Sequence, residues 1–517
     1  MSTAATLDEA PPIDRAPDAA GVSPAGAAAG NRITDTLASA LGVMLLMTIV
    51  QRGLGFGRGL WFCRLMNDVD VGRWSLAYDF VVMMTPIAML GVPGSLSRFV
   101  EYFSARGRLR RFVTNTAAAT VGLGLVWSAA ILVGRQFFGW FIFLDCGAAG
   151  WVTSVAAAAA SVVMFNYAYE LCVSLRRARA ASTMQFIQSV SFSVVGVGWL
   201  IAGHHPAHLA AVFAVCTLAG LVPAVSVWRN RHAIVAPAAG TAPGVAPEHD
   251  AAPPSIWRVI APYAASLWVM NLLANAFNFS DRYMILHHLP GGDDVTRAAV
   301  GQYHSGRIIP LLLMSLATMI SGVILPYLSA DWESDRRDRA ITTLRRVIVA
   351  VAAGFTAGGA FVLAIAPWLF GTLLEGRYAE GLQMMPLAMV FCIWGALFVV
   401  AQDYLWVVRR GLAVGGCIAV ALVINVALNF AWLPTMGLGG AVLATTVANG
   451  VMLAALLLML RRRGFDVDLS IITAAMLPAT ILGGPVPALG CTILFAAVNP
   501  DILDSLRQAV SRFQRRP

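Results

Sequence analysis

Stretches of about 20 apolar residues, the length that crosses a bilayer's hydrocarbon core, recur about twelve times along this chain. Hydrocarbon offers no water to backbone N–H and C=O groups, so each stretch must satisfy its own hydrogen bonds by folding as a helix. The approximate spans are 36–63, 74–96, 113–134, 152–174, 184–203, 207–228, 259–287, 302–328, 347–373, 382–406, 412–433 and 438–460. Only 12% of residues are charged and the mean hydropathy is +0.72, which fits no soluble class. The expected fold is an all-α polytopic membrane protein.

All 36 basic residues of the Lys+Arg count are arginine, which codon usage in a GC-rich genome accounts for. The formal net charge of +9 does not call for a nucleic-acid partner, because basic residues of membrane proteins collect in cytoplasmic loops. The seven cysteines are scattered with no CxxC pair, so neither a disulfide framework nor a zinc site is indicated. His204, His205, His208, His287 and His288 fall in outer loops and read as ordinary loop histidines. With no Walker A pattern and no soluble catalytic domain, an ATP-driven pump is excluded. No enzyme activity, cofactor or metal is expected.

Arginines in the short connections set the orientation. With a cytoplasmic N-terminus, inside loops carry nineteen, including "RGRLRR" (Arg106 to Arg111) and "RRR" (Arg461 to Arg463), against five outside: Arg64, Arg73, Arg135, Arg297 and Arg377. Residues 1–31 lack the basic start and short apolar core of a signal peptide and read as a disordered cytoplasmic tail. Residues 229–255, rich in Pro, Ala and Gly, form a cytoplasmic linker between an N-lobe of six spans (32–228) and a C-lobe of six (256–463). The lobes resemble each other: "VGRWS" follows span one and "VGQYHS" follows span seven. An even number of spans per repeat predicts a pseudo-two-fold axis along the membrane normal. In the tail, 464–517, "GGPVP" splits residues 469–498 into pieces too short to cross separately. They read as a broken span or a hairpin, and the interfacial helix expected after them favours a hairpin and a cytoplasmic C-terminus.

Ionisable residues inside spans usually face a cavity or a partner. The basic set is Arg52, Arg58, Arg282 and Arg307, and the acidic set Asp79, Glu170, Asp281 and Asp403. An arginine near the bilayer centre costs about 2.5 to 3.5 kcal/mol even on the gentlest scale, but Arg64, at the outer boundary, can snorkel to water. Glu170 and Asp403 each lie six residues before an inner arginine cluster, which can orient them. For the others two readings compete. Internal ion pairs such as Arg58 with Asp79 or Arg307 with Asp281 would leave little net stabilisation. Alternatively, the arginines line a hydrated cavity between the lobes and bind phosphate through guanidinium forks. Gly53, Gly55, Gly57 and Gly59 weaken the first helix and predict a bend there. A bend or a wide cavity would let Arg52 and Arg58, about 120° apart on a straight helix, address one site.

"QRGLGFGR", "DVGRWSLAYDF", "LGVPGSLSRFVE", "FNFSDRYMIL" and "VGQYHSGRI" together resemble the polysaccharide-biosynthesis flippases of the multidrug/oligosaccharidyl-lipid/polysaccharide exporter superfamily. The resemblance covers about residues 33–463. It implies two six-helix lobes in a V that alternate access to a central cavity. The cargo it implies is an undecaprenyl-pyrophosphate-linked oligosaccharide turned from the inner to the outer leaflet of a bacterial inner membrane during O-antigen, exopolysaccharide or capsule synthesis. Substrate binding would fall to Arg52, Arg58, Arg282 and Arg307. Asp79, Glu170, Asp281 and Asp403 would serve ion coupling, with H+ or Na+ as partner ion, or ion pairing. "QRGLGFGR" is also similar to the first-span signature of the lipid II flippase branch, but "WSLAYDF" and "LGVPGSLSRF" depart from that branch. A cation-coupled multidrug extruder, which would want an acidic cavity, and a membrane-embedded polysaccharide polymerase, which would carry a large outer loop, are the alternatives. Arg52→Ala and Arg282→Ala are both expected to abolish glycan export at unchanged protein level.

Overall fold

The computed structural model describes residues 37–175, 177–229 and 255–499. The expected N-terminal tail, nearly all of the linker and the closing amphipathic helix lie outside the described residues.

Helix occupies every predicted span. The first half holds α1 (Leu37–Leu65), α2 (Asp68–Met89), α3 (Val92–Ala105), α4 (Leu109–Val133), a short α5 (Arg135–Phe143), α6 (Ala149–Ser174), α7 (Ala178–Ile201), α8 (Leu209–Ala219) and α9 (Val222–Arg229). The second holds α10 (Ile256–His288), α11 (Asp293–Arg307), α12 (Pro310–Glu333), α13 (Arg337–Thr372), α14 (Ala379–Ala401), α15 (Asp403–Val407), α16 (Gly411–Met436) and α17 (Leu438–Arg462). Among the described residues ten single spans are long and apolar enough to cross, or eleven with the bent α2–α3 pair. In addition α1, at 29 residues, reaches about 43 Å at 1.5 Å per residue. The chain is therefore a multi-pass membrane protein of two helical lobes.

The second span, not the first, is the broken one. Its two pieces meet at 54°, at Leu90 and Gly91, both left-handed. A Cβ on Gly91 would lie 2.0 Å from the Ala264 carbonyl oxygen of α10, so only glycine permits this corner to rest on the opposite half. By contrast α1 runs as one helix through its four glycines. A lipid-embedded helix has no water to repair an opened ladder, and Gly53 and Gly57 simply leave open space beside it.

The repeat glycines form the contact between halves. A Cβ on Gly72 would sit 2.0 Å from the Arg297 carbonyl oxygen, and one on Gly301 would sit 2.0 Å from that of Asp68. Each glycine meets the carbonyl four residues before its counterpart, as a two-fold axis between α2 and α11 requires. Around them the second half caps helix ends of the first. Arg297 Nε donates to the Phe143 carbonyl at 2.8 Å and Nη2 to that of Leu144 at 3.2 Å. Arg377 Nη2 donates to the Arg64 carbonyl at 2.5 Å, and the Tyr378 hydroxyl to that of Cys63 at 3.0 Å. Carbonyls at a helix C-terminus lack intrahelical partners, so the end of the bundle that is poor in arginine is sealed by hydrogen bonds between the halves.

At the tail, α18 (Leu469–Met476) runs into a 3-10 turn (Leu477–Gly483) and α19 (Pro485–Val498) returns. The Asn499 side chain bonds to Ser470, which brings both ends of the segment together as a hairpin. Asp468 caps α18 through the Ile471 N–H at 3.2 Å and pairs with Arg345 at 2.5 Å, so the hairpin starts at the arginine-rich end.

Candidate functional site

Between the halves lies a cavity of about 780 Å³, lined by α1, α2, α3, α6, α7 and α8 on one side and by α10, α11 and α12 on the other. Arg52, Arg58 and Glu170 are its charged groups, and Gln51, Asn166, Gln185, Gln188, Asn271 and Asn275 give it six amides. Trp74, Tyr78 and Trp268 contribute aromatic surface, and the Trp268 indole N–H is buried with no partner.

Its two guanidinium groups are held lightly. Arg58 Nη1 reaches Ser193 Oγ at 3.4 Å, and its guanidinium lies 4.6 Å over the Phe192 ring, where the ring face attracts a cation without neutralising it. Arg52 is exposed and, among the described residues, makes no ion pair or hydrogen bond. Glu170, half-buried, likewise pairs with no arginine among them. The net charge on the lining is +1, carried by forks free to bind an anion. Both arginines reach one cavity from an unbroken helix because the cavity is wide.

Arg282 and Arg307 do not line this cavity. Arg282 forms an ion pair with Asp79 of the other half, and the two residues are 4% and 3% exposed. Arg307 Nη1 donates to the Tyr303 hydroxyl at 2.9 Å, and that hydroxyl donates to Asp281 Oδ2 at 2.5 Å. The expected pairings are thereby corrected: Asp79 takes Arg282 rather than Arg58, and Arg307 meets Asp281 only through Tyr303. Residues i and i+4 of a helix stack on one face, so Tyr303 stands under Arg307 and intercepts it.

Asp281 is 1% exposed and accepts from four side chains. Besides Tyr303 these are Thr445 Oγ1 at 2.5 Å to Oδ2, and Asn425 Nδ2 at 2.9 Å and Asn429 Nδ2 at 3.1 Å to Oδ1. The Asn429 side-chain oxygen Oδ1 is buried without a partner. Asp403, also 1% exposed, accepts from Ser321 at 2.8 Å and leaves its second oxygen unpartnered. It lies outside the cavity and makes no ion pair with the arginines after it among the described residues.

The residues that a search for charges misses are neutral. "VINVALNF" puts Asn425 and Asn429 one helical turn apart, and polar side chains at that spacing inside a span signal a common partner across helices. The cavity amides carry the same signal, spread over four helices.

Residues 37–332 match the family described as polysaccharide biosynthesis protein. Among solved structures the chain is similar to an inward-facing multidrug resistance MATE family transporter of the MOP superfamily, with TM-score 0.62 and 14% identity over 82% of this chain and 98% of that one. It is similar too to the lipid II flippase MurJ in an inward closed conformation, with TM-score 0.61 and 12% identity over 88% and 98%. A MOP superfamily transporter from Pyrococcus furiosus, described as having a binding pocket of reverse polarity, matches with TM-score 0.55 and 13% identity over 82% and 94%. At these identities the likeness establishes the shared fold. By sequence, no curated protein gives a significant match.

Proposed function

We propose, from the premise that the chain belongs to the polysaccharide biosynthesis protein family, that it is a flippase for a lipid-linked oligosaccharide joined to its carrier by a pyrophosphate. The observation that carries this reading is a single cavity in which two unpaired guanidiniums share the lining with six amides and with aromatic faces. Guanidinium forks match phosphate oxygens bidentately, amides match the paired donors and acceptors of sugar hydroxyls, and the polyprenyl tail stays in lipid. A cavity with net positive lining argues against the multidrug extruder, whose cationic cargo would need the acids exposed. Here Asp79 and Asp281 are occupied by Arg282 and by the polar cluster.

With the arginine-rich end cytoplasmic in a bacterial inner membrane, closure of the opposite end makes this the state that loads from the inner leaflet. Turning the cargo over requires α2 and α11 to separate and the Arg282–Asp79 pair to open. Asp281 serves as the coupling site for H+ or Na+. Amide O and N are exchangeable by rotation, so Asn425 and Asn429 can turn their oxygens toward a cation held by Asp281 and Thr445.

Reconstituted protein should flip an undecaprenyl-pyrophosphate oligosaccharide in liposomes, read as protection of the sugar from an external lectin. Arg52→Ala and Arg58→Ala should each lose most of this activity. Flipping of the glycolipid at wild-type rate by both variants would overturn the reading, as would export of lipophilic cations in its place.

A further inference from the structure

On the face of α6 turned away from the cavity, a second concavity of about 360 Å³ runs between α4 and α9. Tyr167, Ala168 and Leu171 of α6 floor it, whereas Asn166 and Glu170 of the same helix face the cavity. Deeper in the membrane α4 presents Leu125 and Val126, 59% and 68% exposed, so this side of the bundle meets lipid. Along α4 the groove is lined in order by Arg110, Thr114, Ala117 and Val121, a stripe at i, i+4, i+7 and i+11. Arg110 and Thr114 are exposed, and their side chains make no hydrogen bond or ion pair among the described residues. The N-cap of α4 is Arg108, which makes no side-chain cap bond, so the first N–H groups of the helix stay open to an anion.

From its mouth inward the groove thus offers a guanidinium beside a helix N-terminus, a hydroxyl one turn deeper, and then only apolar wall. A glycerophospholipid has the same order: phosphate, ester-linked glycerol, acyl chain. The lined stretch from Leu109 to Val121 is about 18 Å long at 1.5 Å per residue, a little over half of a roughly 30 Å hydrocarbon core. That length suits a chain confined to one leaflet and is too short for a polyprenyl tail.

We infer that this groove binds an anionic glycerophospholipid from the leaflet at the arginine-rich end, its phosphate on Arg110 and the α4 N-terminus and one acyl chain against Ala117 and Val121. Both phosphate-facing groups are positive and arginines 108 and 111 flank them, which selects an anionic over a zwitterionic headgroup. The bound lipid ties α4 to α9, the last described helix before the connection to the second half. The site is separate from the cargo cavity and does not depend on what the cavity carries.

Native mass spectrometry of the full-length protein, offered phosphatidylglycerol, phosphatidylcholine or undecaprenyl phosphate in turn, tests it. Phosphatidylglycerol should be retained in preference to the other two. Arg110→Gln should cut its retention about fivefold, the worth of one basic residue at a membrane surface, and Ala117→Trp, which fills the groove, should abolish it. Should Ala117→Trp fail to fold, Val121→Trp reads the same wall at the deep end. Equal retention of phosphatidylcholine, retention unchanged by Arg110→Gln, or displacement of phosphatidylglycerol by undecaprenyl phosphate would each overturn the inference.

Discussion

Two regions of this molecule place arginine inside the membrane and treat it in opposite ways. On α1, Arg52 and Arg58 face a wide cavity with one weak hydrogen bond and one aromatic face between them. On α10 and α11, Arg282 and Arg307 are sealed at 4% and 6% exposure and take their contacts from Asp79 and Tyr303. Both arrangements answer the cost of a charge in hydrocarbon, the first by opening onto a polar cavity, the second through protein partners. The difference shows that depth in the membrane does not decide whether an arginine is left open to a cavity. What decides is whether the surrounding protein supplies a partner: Asp79 from α2 for Arg282, and Tyr303, one turn back on the same helix, for Arg307.

Breaking the sealed pair should have the largest effect on the fold. Removing one member of a buried ion pair leaves the other uncompensated, at a cost of about 3–5 kcal/mol. Asp79→Ala and Arg282→Ala are therefore both expected to unfold well below wild type in detergent thermal melts. The double replacement Asp79→Leu with Arg282→Met should recover most of that loss, because apolar groups of similar volume need no counter-charge. This replaces the simpler expectation that Arg282→Ala leaves protein level intact. Single variants that melt like wild type would show that the two halves are not latched here.

The cavity arginines should show the reverse pattern. Arg52→Ala and Arg58→Ala are expected to leave the melting temperature within the roughly 0.5 kcal/mol scatter of surface changes. Glycan export should fall at least tenfold in each, since a hydrogen bond to a charged group is worth about 1.5–3 kcal/mol. Arginine-to-lysine variants should recover part of that, keeping the charge but losing the bidentate fork. If destabilisation accompanies the loss of export, the contrast between the two regions collapses, because both would then be structural.

A third comparison is internal to the sealed region. Asp281→Asn retains the volume of the side chain but removes the charge a cation would need. Wild-type protein should be stabilised by sodium, by about 2.7 kcal/mol at a hundred times the dissociation constant, and Asp281→Asn should not respond. A variant that still responds in full would move the coupling site elsewhere, and Asp403, with its unpartnered oxygen, would be the next place to look.

How far the sequence revealed all this follows from what periodicity and charge can report. Helix positions, the division into halves and the repeat around Gly72 and Gly301 were legible because apolar length and motif spacing are local. That Arg52 and Arg58 could face a cavity was legible from their depth, but depth gave the same reading to Arg282 and Arg307, which do not line it. Which acid meets which arginine was not: Asp79 and Arg282 lie 203 residues apart, and their meeting is set by the packing of α2 on α10. The break in the second span was hidden because Leu90 and Gly91 read as ordinary apolar residues, whereas the four glycines of α1 were conspicuous and break nothing. Gly91 marks the corner through its left-handed backbone, with the Ala264 carbonyl pressed against it, whereas none of the four α1 glycines has a positive φ.

The smallest effect is expected at Arg64, and it sharpens the comparison within one helix. Arg64 lies twelve residues beyond Arg52 on α1 and is exposed, its guanidinium 5.6 Å over the Trp61 ring. The contact that matters to the sealed end uses its main-chain carbonyl, which accepts from Arg377, and any side chain preserves that. Arg64→Gln should therefore change stability by less than about 0.5 kcal/mol, the most that an exposed cation–π contact at the low end of its range supplies, and export by less than twofold. Measured beside Arg52→Ala in the same export assay, it separates position from charge. If Arg64→Gln loses as much export as Arg52→Ala, the loss reports positive charge on α1 in general, and the assignment of Arg52 to the pyrophosphate no longer has a basis.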